Sequence, residues 1–226
     1  MTRTRKTDRD WDALFHAISR EDDVAAYRAS LNLIADGTAQ PDPFRVLLAT
    51  IISLRTRDEV TLPASERLFQ VADTPRLVAD MPEERIAELI YPAGFYRTKA
   101  GTIRSIARII RDEHDCVVPA TRETLTALPG VGPKTANLVL GLGFGIPAIC
   151  VDTHVHRVAN RMGWVQTGTP EKTEGALERV LPRRYWIPVN PWLVAFGRII
   201  CTPGRPFCGR CPVYESCDRV GVTRSR

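Results

Sequence analysis

The sequence predicts an all-α protein built as two lobes. Three observations carry that reading: apolar residues recur at helical spacing nearly throughout, no run alternates as a half-buried strand would, and prolines stand where helices begin. Ile103, Ile106, Ala107 and Ile110 repeat at i, i+3, i+4 and i+7, one apolar stripe on a helix over Arg97–His114. Pro43, Pro63, Pro82 and Pro133 mark first turns, where the missing N–H has no intrahelical acceptor to lose.

Taken in order, the expected helices run Trp11–Ala17, Ala25–Ile34, Pro43–Leu54, Pro63–Val71, Pro82–Tyr91 and Arg97–His114. They continue as Arg122–Ala127, Pro133–Leu142, Thr153–Met162, Pro170–Val180 and Pro191–Ile200. The loop Gly141–Pro147, with three glycines and a proline, is the expected seam between the lobes. At 226 residues and 44% hydrophobic composition the chain has ample material for packed cores. Its formal charge is +5, which favours a polyanionic partner. The opening Met1–Lys6 and the closing Arg219–Arg226 are basic, and Arg198, Arg205 and Arg210 surround the last cysteines. The first residues lack an apolar signal core and Val46–Leu54 is too short to span a bilayer, so the expected location is the cytoplasm.

Four of the six cysteines form one cluster, Cys201-x6-Cys208-x2-Cys211-x5-Cys217. Thiolates are soft ligands, and four on short loops in a reducing compartment point to zinc or an iron–sulfur cluster ahead of disulfides. Spacing alone leaves the metal open, because only one C-x2-C pair is present. Cys116 and Cys150 lie in apolar surroundings and read as buried small side chains.

The segment Leu125–Asn137 carries the most functional information. A helix ends, Gly130-Val131-Gly132 makes a tight turn, and Pro133 opens the next helix. Glycines there let backbone approach a ligand closely, and free N–H groups at a helix start attract phosphate. Pro133 separates Gly132 from Lys134, which excludes a Walker-type loop, and Gly141-Leu-Gly-Phe-Gly145 fails the dinucleotide fingerprint. Lys134 stands in the first turn, where the helix dipole works against an ammonium and favours a nucleophilic amine able to form a Schiff base, although taken alone it reads as a surface lysine pairing with phosphate. Asp152, in Cys150-Val-Asp-Thr-His-Val-His156, precedes a helix and reads as its N-cap with a carboxylate available for chemistry. Of His154 and His156, one is expected to order a loop and the other to be exposed.

Taken together, Leu128–Asn137, Val151–Asn160 and the x6, x2, x5 cysteine loop resemble the endonuclease III family, helix-hairpin-helix DNA glycosylases and apurinic-site lyases, over about Phe44–Cys217. The resemblance implies a six-helix barrel carrying the hairpin (36–146) and a second helical domain (1–35 with 147–226) holding a [4Fe–4S] cluster on Cys201, Cys208, Cys211 and Cys217. It implies a monomer whose partner is double-stranded DNA with damaged bases or abasic sites. Lys134 would attack the sugar C1′ of an extruded oxidised pyrimidine, assisted by Asp152, with β-elimination then nicking 3′ to the lesion. Gly130, Val131, Gly132, Arg55, Phe95, Arg205 and Arg210 would contact DNA. Two positions depart from the family pattern: Arg55 replaces a gap-filling glutamine and Phe95 a leucine wedge, which bears on opposite-base preference. The rival readings are a glycosylase for pyrimidine dimers or uracil mismatches, and a non-catalytic iron–sulfur DNA-binding protein; intact Lys134 and Asp152 argue against the second.

Overall fold

Proline and capping chemistry set where the helices start. A computed structural model describes residues 9–25 and 41–226, and among them there is no strand. The basic Met1–Lys6 and nearly all of the expected helix Ala25–Ile34 lie outside the described residues. The helices are α1 (Trp11–Arg20), α2 (Pro43–Ser53), α3 (Asp58–Val71), α4 (Pro75–Asp80), α5 (Glu83–Ile90), α6 (Tyr96–Glu113), α7 (Arg122–Ala127), α8 (Pro133–Leu138), α9 (Thr153–Arg161), α10 (Pro170–Glu178) and α11 (Val189–Ile199). Asp42, Thr74, Thr121 and Thr169 cap α2, α4, α7 and α10, each side chain accepting from the backbone N–H three residues on.

Proline placement differs from expectation at three points. Pro63 sits inside α3, which begins at Asp58 rather than at the proline. The helix tolerates the lost hydrogen bond because Thr61, Ala64, Ser65 and Leu68 around it are buried. Pro191 falls within the first turn of α11, where an N–H would have no intrahelical acceptor. Pro82 is the N-cap of α5 rather than its first residue. Helix α4, six residues long, is too short to show periodicity and has no counterpart in the sequence reading.

The expected helix Pro133–Leu142 changes character part-way. α8 passes into a π-helical turn, Val139–Gly143, which takes up Gly141 and Gly143 of the expected seam. Gly143 lies against α2, and a Cβ there would come within 2.9 Å of Pro43 Cα.

The chain divides into two compact units, one of the described N-terminal residues with Ile149–Arg226, the other running to Ala148. The core of the second unit is the apolar faces of α2, α5 and α6, among them Leu47, Ile51, Ile86, Ile90, Ile103 and Ile106. That of the first is aromatic: Phe15 stacks on Tyr185 at 4.3 Å between centroids and meets Trp164 edge-on at 5.6 Å. No described helix is long and apolar enough to cross a membrane. Gly143→Ala is expected to lower stability by about 1–3 kcal/mol through backbone overpacking, read as a drop in melting temperature.

Candidate active site

The hairpin is built by two glycines that do different work. Gly130 has φ +73°, and a Cβ on it would meet Thr102 Cγ2 at 3.0 Å, so the fold itself requires glycine there. Gly132 has an ordinary φ of −92°, and nothing lies within 4 Å of where its Cβ would stand. The open space is therefore available to a ligand. Val131 serves the turn rather than the surface: it is 6% exposed, packs into the core, and its N–H donates to Leu128 O. The N–H groups of Gly132 and Lys134 donate to nothing among the described residues.

Lys134 follows on the first turn of α8, exposed and without an ion pair or side-chain hydrogen bond among the described residues. A free amine beside unpaired N–H groups is a geometry in which a phosphate can be held while the amine reaches a sugar carbon.

In the same unit, Arg55 and Phe95 meet at the ends of two loops. Phe95 is 64% exposed, and the Arg55 guanidinium lies over its ring at 5.7 Å. Both are left-handed, with φ of 53° and 58°, a conformation uncommon outside glycine. Beneath them sits Lys99, which the sequence reading passed over as part of an amphipathic helix. Lys99 is 7% exposed, and its Nζ donates to Ile52 O and Leu54 O, each at 2.6 Å, and to Thr56 Oγ1 at 2.8 Å. Burial pulls its pKa from 10.5 down to about 8.

The other unit carries Asp152 and the cysteines. Asp152 is half-buried at the start of α9, where its Oδ1 accepts from His154 N at 2.9 Å and Val155 N at 2.8 Å. Its Oδ2 has no hydrogen bond among the described residues, so one oxygen orients the carboxylate and the other is available. Neither histidine is exposed. His156 pairs with Thr173 Oγ1 at 2.7 Å, while His154 lies 3.2 Å from Arg157 Nη2. Burial, opposed by the Asp152 carboxylate, holds His154 below its ordinary pKa.

Arginines on α9 clamp the start of the cysteine loop, and sequence reasoning missed them because their partners are carbonyls. Arg157 donates to Gly197 O at 2.7 Å and to Cys201 O, and Arg161 donates to Thr202 O at 2.6 Å and to Pro203 O. Cys201, Cys208, Cys211 and Cys217 line one narrow pocket with Met162, Phe196, Ile200 and Phe207. The thiols surround this space rather than converge on a point: no three His, Cys, Asp or Glu side chains among the described residues form a metal-binding group. Burial pushes the Cys211 thiol up to about 11 and raises Cys217 as well. Four soft donors in an apolar lining suit an iron–sulfur group, whose charge would stabilise thiolates that burial otherwise keeps protonated.

Two expectations need correction. Arg205 is exposed and unpaired among the described residues, but Arg210 is engaged with Asp23 at 2.9 Å, with Glu21 at 3.8 Å and with the Phe207 ring. A guanidinium held by two carboxylates is a weaker phosphate ligand than the sequence suggests. Cys150 is buried as expected, whereas Cys116 is only half-buried. A groove of about 590 Å³ lined by Glu83, Glu84, Glu88, Tyr91 and Arg97 is acidic, and so unsuited to phosphate.

The HhH-GPD superfamily of base excision DNA repair proteins matches residues 48–183. Endonuclease III of Thermotoga maritima is 50% identical over 179 residues, covering 79% of this chain and 84% of that protein. The chloroplastic endonuclease III homolog 2 of Arabidopsis thaliana is 46% identical over 183 residues, covering 77% of this chain and 47% of that protein. This chain belongs to the endonuclease III family. It is a bifunctional base excision repair enzyme, a DNA glycosylase with apurinic-site lyase activity. A solved structure of a trapped endonuclease III–DNA covalent intermediate, an estranged-adenine complex, has the same fold, with TM-score 0.74, 31% identity, and coverage of 92% of this chain and 95% of that one.

Two outcomes are expected within the family frame. Gly132→Ala should keep the melting temperature and weaken duplex DNA binding, whereas Gly130→Ala should cost about 1 kcal/mol or more of stability. Because Lys99 has a lower pKa folded than unfolded, the unfolded chain binds more protons between pH about 8 and 10.5. The wild type should therefore gain stability relative to Lys99→Met as pH rises through that window, as denaturant titrations at several pH values would show.

Proposed function

We propose that Lys134 is the nucleophile that forms the Schiff base, and that Asp152 assists it, in removing oxidised pyrimidines from duplex DNA. The observation that carries this reading is the exposed, unpaired amine on the first turn after Gly132, beside two unpaired backbone N–H groups. The trapped covalent intermediate of the structural relative supports a covalent step.

Extrusion of the damaged nucleotide precedes chemistry and costs a few kcal/mol, about the loss of one base's stacking and pairing. Phe95 is the apolar side chain that enters the stack, and Arg55 offers five fixed donors to the base left opposite. The hairpin holds a phosphate through the N–H groups of Gly132 and Lys134. The amine of Lys134 attacks C1′ as the bond to the base breaks, and the base leaves with the electron pair and takes up the proton that the amine gives up. Asp152, through Oδ2, stabilises positive charge developing on the sugar or receives the lysine proton. The nitrogen lone pair then opens the sugar ring by breaking C1′–O4′, with O4′ taking up a proton, and the resulting Schiff base acidifies the C2′ hydrogens; proton loss there expels the 3′ phosphate, and water then releases Lys134.

The described part of 36–146 is assigned to the six-helix barrel with the hairpin, and the described part of 1–35 with 147–226 to the domain of the cysteine loop. Cys201, Cys208, Cys211 and Cys217 would hold a [4Fe–4S] cluster, which when bound supplies structural cross-linking of the loop. Arg205 then faces DNA phosphate, with Arg210 contributing once freed from Asp23. The enzyme acts as a monomer on damaged or abasic duplex DNA in the cytoplasm, at the nucleoid.

Borohydride trapping on a duplex with one thymine glycol tests the assignment. Wild type should give a covalent adduct and Lys134→Ala none; equal adducts from both would remove Lys134 from the mechanism. Separately, anaerobically purified protein should be brown with the broad visible absorption of an iron–sulfur cluster, lost in Cys211→Ser. A colourless protein with stoichiometric zinc would replace the cluster.

A further inference from the structure

Helix α2 ends in a way its sequence does not announce. Its last carbonyls, Ile52 O and Leu54 O, would be orphans in the protein interior, and the C-cap Leu54 offers no side chain to satisfy them. Lys99, from the first turns of α6, fills that place with its ammonium. Its third donor goes to Thr56 Oγ1, and the same oxygen accepts the Gly94 N–H at 3.0 Å. One amine and one hydroxyl thus bind the loop after α2 to the loop before α6.

The two left-handed residues lie inside this knot. Arg55 is flanked by Leu54 and Thr56, both partners of Lys99. Phe95 is flanked by Gly94, tied to Thr56, and its own carbonyl accepts the Lys99 backbone N–H at 3.0 Å. The loops are in close contact as well: a Cβ on Gly94 would lie 2.4 Å from Arg55 O, so no other residue fits. Left-handed conformations at an arginine and a phenylalanine persist only where surrounding structure fixes them. What they present is an exposed aromatic ring with a guanidinium over it.

We propose that Lys99 is a positioning residue for base extrusion, fixing both loops so that Arg55 and Phe95 meet the duplex as one preformed wedge. The inference rests on the reading of Phe95 and Arg55 as the residues that enter the stack. Preforming the wedge means that DNA binding does not have to order two loops while it unstacks a base. Lys99 itself need touch neither the substrate nor Lys134.

The test separates extrusion from chemistry in the full chain. Single-turnover base release is measured on a thymine glycol duplex, and strand cleavage on a single-stranded oligonucleotide with one abasic site, which needs no extrusion. Lys99→Met should slow the duplex reaction about tenfold and leave single-strand cleavage within about twofold. Thr56→Val, which removes the shared oxygen and keeps the amine, should act in the same direction, by about threefold. It also serves as the deciding variant should Lys99→Met not fold, with melting temperature and circular dichroism as controls. Equal losses on both substrates, or none on either, would overturn the positioning role. Phe95→Ala distinguishes the two levels: a slowed duplex reaction there with Lys99→Met unaffected rejects Lys99 alone, whereas an undisturbed Phe95→Ala rejects the wedge and the inference with it.

Discussion

Helix C-termini leave carbonyls that must find donors, and in both units of this protein a cationic side chain from another helix supplies them. Lys99 closes the end of α2. Arg157 and Arg161 close the end of α11 and the turn that follows it. Neither end has the glycine cap that commonly does this work. In each case the closed end begins a loop that carries candidate site residues, Arg55 after α2 and Cys201 after α11. The same hydrogen bonds that satisfy the backbone therefore fix where those groups start.

The closure at α11 also constrains α9. Gly197 lies so near α9 that a Cβ on it would come within 2.9 Å of Arg157 Nη2 and 3.0 Å of His154 Nδ1. Asp152 caps the same helix, so the carboxylate at one end and the arginine clamp at the other are parts of one rigid element. The aromatic core of that unit, from Trp11 and Phe15 to Tyr185 and Trp192, holds the surrounding helices in place. That leaves the carboxylate with one oxygen tied and the other without a hydrogen bond among the described residues.

Much of the fold was legible because it is written in local chemistry. The periodic apolar stripe gave α6, the capping Asp152 the start of α9, and proline the starts of α2, α8 and α10. The failures have physical reasons as well. Pro63 looked like a helix start because proline is disfavoured in helix interiors, yet burial on both sides of it overrides that preference. α4 is too short for a period, and the π-helical turn after α8 brings Gly143 close against Pro43, a contact no local pattern reveals. Among the candidate site residues, Lys134 and Asp152 stood out through their motifs. The ion pairs of Arg210 were not legible, because its partners, Glu21 and Asp23, are nearly two hundred residues away in sequence.

The sequence by itself determined the helical class, the hairpin turn, the capping aspartate and the set of four thiols, because each depends on residues near one another along the chain. Tertiary structure alone decided that Gly130 is required by the fold while Gly132 faces open space, that Val131 is core, and that Lys99 is buried beneath Arg55 and Phe95. Those distinctions depend on which backbone carbonyls and side chains are brought close by packing. A lysine in register with an apolar stripe reads as an interruption of it until the neighbouring helix end supplies acceptors and excludes water.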